Sequence, residues 1–184
     1  MTPPALADLR TEPDPADPAR VRELLASTGF FRDDEIAIGV ELVAERLARG
    51  SASGYELLLA DDPAAPRLRG YCCFGEIPLT VGSWDLYWIA VAPDLQGRGL
   101  GRRLLAETER RIAAAGGRRV FVDTSGRADY APTRAFYERC GYTVAARLTD
   151  FYAVGDDKVV YSRILPVACS SSSLGSSPSS PPSP

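Results

Sequence analysis

The stretch Gln96-Gly97-Arg98-Gly99-Leu100-Gly101 constrains this chain more than any other. It sets a glycine at every second position, directly after a strand pattern (WDLYWIAV, 84–91) and directly before a helix pattern whose inward stripe is Leu100, Leu104, Leu105, Thr108 and Ile112. A strand must turn sharply into a helix here, through dihedrals that glycine adopts at little cost. A plain tight turn satisfies that demand. A dinucleotide fingerprint does not fit, because G-x-G-x-x-G counted from Gly97 puts its third glycine on Arg102, and the hinge follows three strands in a row. The phosphate loop ending in Gly-Lys-Ser/Thr is absent. The other arrangement that suits the stretch is a diphosphate held by successive main-chain N–H groups at a helix start. Glycines let a phosphate approach without a Cβ collision, the helix adds a partial positive charge, and Arg98, Arg102 and Arg103 add full ones.

The rest of the chain divides by the same signals. Residues 1–16 are rich in proline and acids and are expected to be loose. A helix is expected from Asp17, with Pro18 in its first turn and Val21, Leu24 and Leu25 inward, ending at Gly29. A second runs over 33–49, capped by Asp33 or Asp34 and stopped by Gly50. Strands are expected over 55–60, 68–77 and 84–91, then the hinge and a helix to about Ala115. A strand over 118–125, a helix over 132–140 and a strand pair over 142–152 and 158–165 complete the domain at residue 166. The Ser/Pro-rich remainder, 167–184, lacks the apolar content to order itself.

Charge and composition narrow the chemistry. The 184 residues are 45% hydrophobic and 24% charged, which suits one globular domain of residues 17–166. No apolar run approaches the ~18 residues that span a bilayer, and the first residues lack the apolar core of a signal peptide, so a cytoplasmic location without membrane contact is expected. Cys72, Cys73, Cys140 and Cys169 show no CxxC spacing and are expected as free thiols; adjacent Cys72 and Cys73 should point to opposite faces of a strand. There is no histidine, which removes the commonest general base and zinc ligand, and no metal is expected. Residues 1–62 hold thirteen acids against six bases, while residues 94–119 hold seven arginines against three acids. That asymmetry suits an anion at the hinge and a cation near the first third, and is too weak for nucleic acid.

The hinge residues, preceded by Val91-Ala92-Pro93-Asp94, resemble the Q/R-x-x-G-x-G/A motif of the GCN5-related N-acetyltransferases. Ala135-Phe136-Tyr137-Glu138-Arg139-Cys140-Gly141-Tyr142 resembles a second segment of that family, and the likeness covers about residues 15–166. It implies an α/β fold: a mixed, mostly antiparallel sheet of six or seven strands, splayed in the middle, with helices on both faces. It implies acetyl-CoA as co-substrate. Main-chain groups of Ile89 and Val91 would pair with the pantetheine arm, and Gln96, Gly97, Arg98, Gly99, Leu100, Gly101 and Arg102 would hold the diphosphate. Tyr137 matches the tyrosine that protonates the departing sulfur. The base that deprotonates the amine is open between Asp123, at the end of a strand, and Glu76, beside the expected acceptor groove, with Asp85 third. Trp84, Tyr87 and Trp88 would line the acceptor pocket. The loop GRADYAP lacks the asparagine that many family members carry there.

The resemblance thus implies transfer of an acetyl group to an amine of a small molecule or a protein, by direct attack, in a monomer or homodimer. With no histidine beside Cys72, Cys73 or Cys140, a covalent cysteine intermediate is not expected. A non-catalytic acyl-CoA-binding regulatory module, transfer of a longer acyl group, and an interaction protein that kept only the fold are the alternatives.

Overall fold

The structure, a computed structural model, describes residues 9–166. Its elements are β1 (Leu9–Arg10), α1 (Asp17–Ser27), α2 (Asp33–Arg49), β2 (Glu56–Asp61), β3 (Leu68–Glu76), β4 (Ser83–Val91), α3 (Leu100–Ala114), β5 (Arg119–Ser125), α4 (Ala131–Arg139), β6 (Thr143–Ala153) and β7 (Asp156–Ile164). The strands form one seven-stranded sheet in the order β1-β2-β3-β4-β5-β7-β6. Every neighbouring pair is antiparallel except β4 and β5, which run parallel. The α/β architecture expected from the sequence is therefore present. The loose segment expected over 1–16 is not seen from residue 9 onward: Leu9 and Arg10 pair with Ala60 and Leu59 at the sheet edge. Arg10 then grips the fully buried Asp17 carboxylate with two bonds of 2.6 Å. The expected Ser/Pro tail and Cys169 lie outside the described residues.

The interior strand β3 is buried on both faces, so its side chains feed two cores. Cys72 and Phe74 join Leu100, Leu104, Leu105 and Ile112 of α3 on one side. Tyr71 and Cys73 join Val21 and Leu25 of α1 and Val43 of α2 on the other, where the Tyr71 hydroxyl donates to the Gly39 carbonyl at 3.1 Å. The adjacent cysteines thus face opposite sides, as strand alternation requires. α2 starts one residue earlier than the acids suggested: Arg32 is the N-cap, and its N–H donates to the Glu35 carboxylate at 2.8 Å.

The turn between β2 and β3 is pinned by Asp62. Its carboxylate accepts the Ala64 N–H at 3.0 Å, Arg67 at 2.8 Å and Arg69 at 2.9 Å. The Ala64 amide above all, with both arginines, holds that carboxyl down to about 2 against the opposing cost of desolvation. The folded value lies below the unfolded one of about 3.9. The group therefore stabilises fully above about pH 4 and loses that contribution as pH falls toward 2. Asp62→Asn is expected to lower the melting temperature at pH 7, with the gap from the parent protein closing between about pH 4 and pH 2; thermal unfolding across that range measures it.

The feature that makes room for a ligand lies between β4 and β5. They pair only at Ser83, Asp85 and the residue between them, opposite Arg119–Phe121, and then part. Just beyond that point the β3–β4 register slips, with Cys73 opposite Trp88 and Phe74 opposite Leu86, so Tyr87 is an extra, unpaired residue. Such a bulge bends and twists its strand, here away from β5.

Candidate active site

Past the bulge, the Ala92 N–H bonds to the Arg69 carbonyl of the β3 side at 2.9 Å. In an antiparallel ladder alternate residues turn both main-chain groups to one neighbour. Ala90 and Ala92 therefore face β3, and the main-chain groups of Ile89 and Val91 face the gap left by β5. The strand then ends at Pro93, and the chain enters the hinge. Gly97 and Gly99 have φ of +72° and +92°, values that a Cβ disfavours, and neither would meet an atom within 4 Å if it carried one. Gly99 is the N-cap of α3, and no side chain caps that helix. The first N–H groups of α3 have no partner within the helix, as helix geometry dictates. Gln96 ties the hinge to the strand, its amide nitrogen donating to the Val91 carbonyl at 3.2 Å.

These elements border a cleft of ≈ 840 Å³. One half is lined by the hinge and by α4. Of the nine residues expected to hold the co-substrate, Ile89, Val91, Gln96, Gly97, Gly99, Gly101 and Arg102 line it; Arg98 and Leu100 do not. Leu100 is 5% exposed and packs in the core, so only its amide is available. Tyr137 also lines this half, 4% exposed and packed on Phe136, Tyr142 and Tyr161. Burial pushes its hydroxyl well above the ordinary tyrosine range, so it keeps its proton. The hydroxyl makes no hydrogen bond among the described residues. Thr124, on the β5 wall, is buried with its Oγ1 unpartnered among the described residues. The cations lining this half are Arg102 and Arg139.

The other half is lined from the α1–α2 connection by Phe30 and Phe31, from the first turn of α2 by Glu35, from β4 by Tyr87 and Trp88, and from the far side by Asp123, Asp129 and Tyr130. Phe30 and Tyr130 meet at 4.3 Å between ring centroids, which joins their two loops. Tyr87 and Trp88 are where the strand pattern put them. Trp84 is not: it packs on the α3 side against Phe74, and its Nε1 would lie 2.6 Å from a Cβ placed on Gly117. Asp123 forms an ion pair with Lys158 of β7. Asp85 is half-buried and carries a raised pKa, from desolvation first and then from Asp123. Glu76 lies outside the cleft; it is exposed and sits opposite Trp84, at the end of the sheet where β4 and β5 are still joined.

The buried thiols bear on the chemistry too. Burial pushes Cys72 up to about 12 and Cys73 higher still, so neither supplies a thiolate near neutral pH. Among the described residues no three His, Cys, Asp or Glu side chains are grouped to hold a metal, and no helix is long and apolar enough to cross a membrane.

Phe30, Phe31, Thr124 and Tyr130 were not anticipated from the sequence. The signal for the first two was present: a pair of large apolar residues between Gly29 and the acidic start of α2, where a solvated connection would have polar ones.

Comparison with known proteins agrees with this geometry. The family model described as acetyltransferase (GNAT) domain matches residues 38–144. A crystal structure of a GNAT-family protein from Desulfovibrio desulfuricans is 46% identical, with a TM-score of 0.83 over 86% of this chain and 98% of that one. The mycothiol acetyltransferase of Gordonia bronchialis is 31% identical over 135 residues, 73% of this chain and 42% of that protein. The 5-NmdU N-acetyltransferase of Pseudomonas phage PaMx11 is 38% identical over 81 residues, 42% of this chain and 51% of that protein. The chain spans about half or less of the length of these two relatives. With the family's domain matched across more than half its length and its splayed strands, glycine hinge and tyrosine helix in place, the chain belongs to the GNAT acetyltransferase family.

Proposed function

We propose that this chain transfers the acetyl group of acetyl-CoA to a primary amine by direct attack. The observation that carries the proposal is the continuity of two main-chain surfaces: the edge of β4 at Ile89 and Val91, left free by β5 and with the Val91 carbonyl held by Gln96, runs straight into the start of α3, which no side chain caps. An extended amide-bearing arm ending in a diphosphate matches both at once, since one surface pairs like a missing strand and the other takes an anion. The residues fit that group in detail. The positive-φ glycines leave the cradle clear of Cβ atoms, Arg102 adds charge beside it, and the orphaned Thr124 Oγ1 gains a partner from a ligand amide or carbonyl.

Bound acetyl-CoA supplies the acetyl group as a thioester. The chain's own residues handle the protons. Asp123, paired with Lys158 at the acceptor side, accepts a proton from the ammonium form of the acceptor, freeing its lone pair for attack. A carbon–nitrogen bond forms and the carbon–sulfur bond breaks. The Tyr137 hydroxyl gives its proton to the departing sulfur and recovers one from the nitrogen as the amide forms, so the net proton released is the one Asp123 took. Of the two carboxylates that the sequence offered first, Asp123 borders the cleft and Glu76 does not.

Titration calorimetry and thermal unfolding with acetyl-CoA test the proposal. Saturation at 100 times the dissociation constant is expected to add about 2.7 kcal/mol of stability, followed by release of free thiol when a primary amine is supplied. A protein indifferent to both acetyl-CoA and coenzyme A would overturn it.

A further inference from the structure

The cations that line the cleft are confined to one half of it. Arg102 and Arg139 line the hinge half, and among the described residues no lysine or arginine lines the other half. There the walls are five aromatic side chains, none fully buried: Phe30, Phe31, Tyr87, Trp88 and Tyr130. Three contacts join four of them into one surface: Phe30 with Tyr130 at 4.3 Å, Phe31 with Trp88 at 4.9 Å, and Phe30 with Phe31 at 5.6 Å. Glu35, Asp123 and Asp129 line the same half, and their counter-ions Arg32, Lys158 and Arg127 lie outside the lining. Resting on the acetyl-transfer reading above, we infer that the acceptor is a small amine with one positive charge on a flat, apolar body.

The physical case has three parts. Partly exposed rings lining a cavity gain most from a ligand that buries apolar area against them. An ammonium beside such rings gains cation–π energy, and the acids at the edge of the pocket supply the opposite charge. A polyhydroxylated polycation meets the reverse situation: the rings leave its hydroxyls desolvated and unpaired.

The test uses the full chain. Acetyl-CoA binding is first measured by calorimetry. Thiol release is then followed with phenethylamine, tryptamine, spermidine, kanamycin and a hexapeptide with a free amino terminus. The two arylalkylamines are expected to exceed the other three in kcat/KM by at least about tenfold, the scale on which apolar pockets discriminate. Phenethylamine titrated in the presence of coenzyme A is expected to quench tryptophan fluorescence, because Trp88 borders the pocket. Phe30→Ala, and separately Tyr130→Ser, should raise KM for phenethylamine several-fold with the dissociation constant of acetyl-CoA unchanged. Preference for spermidine, kanamycin or the peptide overturns the inference, as does acetyl-CoA binding without turnover of either arylalkylamine. Both of those results leave the co-substrate reading standing; absence of acetyl-CoA binding removes both.

Discussion

Tyr137→Phe is expected to lower the turnover number for acetyl transfer by roughly 10²–10⁴-fold, the usual worth of a positioned proton donor, while acetyl-CoA binds as before. The substitution removes one oxygen and leaves the ring. That ring keeps its contacts with Phe136, Tyr142 and Tyr161, whose centroids lie 5.3, 5.7 and 5.9 Å away. The lost hydroxyl has no hydrogen-bond partner among the described residues, so no buried group is orphaned by its removal and the fold should hold. Burial keeps the hydroxyl protonated across the working pH range, which is the state a donor needs. The measurement is single-turnover acetyl transfer beside calorimetric binding of acetyl-CoA. Asp123→Asn is the informative companion. It should slow the same step without altering the co-substrate affinity, because Asp123 lines the opposite half of the cleft. Equal loss of rate and of acetyl-CoA binding in Tyr137→Phe would make the residue a packing element and leave the sulfur without a donor.

Much of this site was legible in the sequence because its signals are local. The hinge announces itself by glycine spacing between a period of two and a period of 3.6, and seven of the nine residues assigned to the co-substrate border the cleft. Of the two that do not, Arg98 and Leu100, the second illustrates what spacing omits. Leu100 begins the inward stripe of α3, so the periodicity that identifies the helix also turns its side chain into the core. Glu76 was placed beside the acceptor groove because β3 neighbours β4. Antiparallel pairing sends the end of β3 to the start of β4, however, and the sheet is still closed there. The acceptor half was the least legible. It depends on Tyr87 being one residue too many for its strand and on Phe30 meeting Tyr130, one hundred residues away in the chain. No local pattern encodes a contact of that kind. The edge strand β1 was missed for a related reason: two residues are too short to show alternation, and what fixes them is the ion pair of Arg10 with Asp17.

Gly99→Val puts the diphosphate cradle itself under test. At φ +92° a β-branched residue is strained, at a cost on the order of 1–3 kcal/mol. Gly99 has open space where the new Cβ would go, so nothing in the fold is displaced and the penalty is one of backbone conformation. The chain can relieve it by rotating Gly99 to negative φ, which swings the first N–H groups of α3 away from a common point. A hydrogen bond to a charged group is worth about 1.5–3 kcal/mol, so losing one or two such amides should weaken coenzyme A by about 10²-fold, near 2.7 kcal/mol. Thermal unfolding of the unliganded variant separates the two consequences, since the stability loss is present without ligand and the affinity loss appears only with it. Gly99→Ala should lie between parent and valine variant on both scales, because it carries the Cβ without the branching. A comparison without phosphate sharpens the outcome: pantetheine alone, which lacks the diphosphate, should lose little affinity for the valine variant. If coenzyme A binds Gly99→Val as tightly as the parent protein, the amides at the start of α3 do not hold the diphosphate, and the anion must sit on the arginine side chains instead.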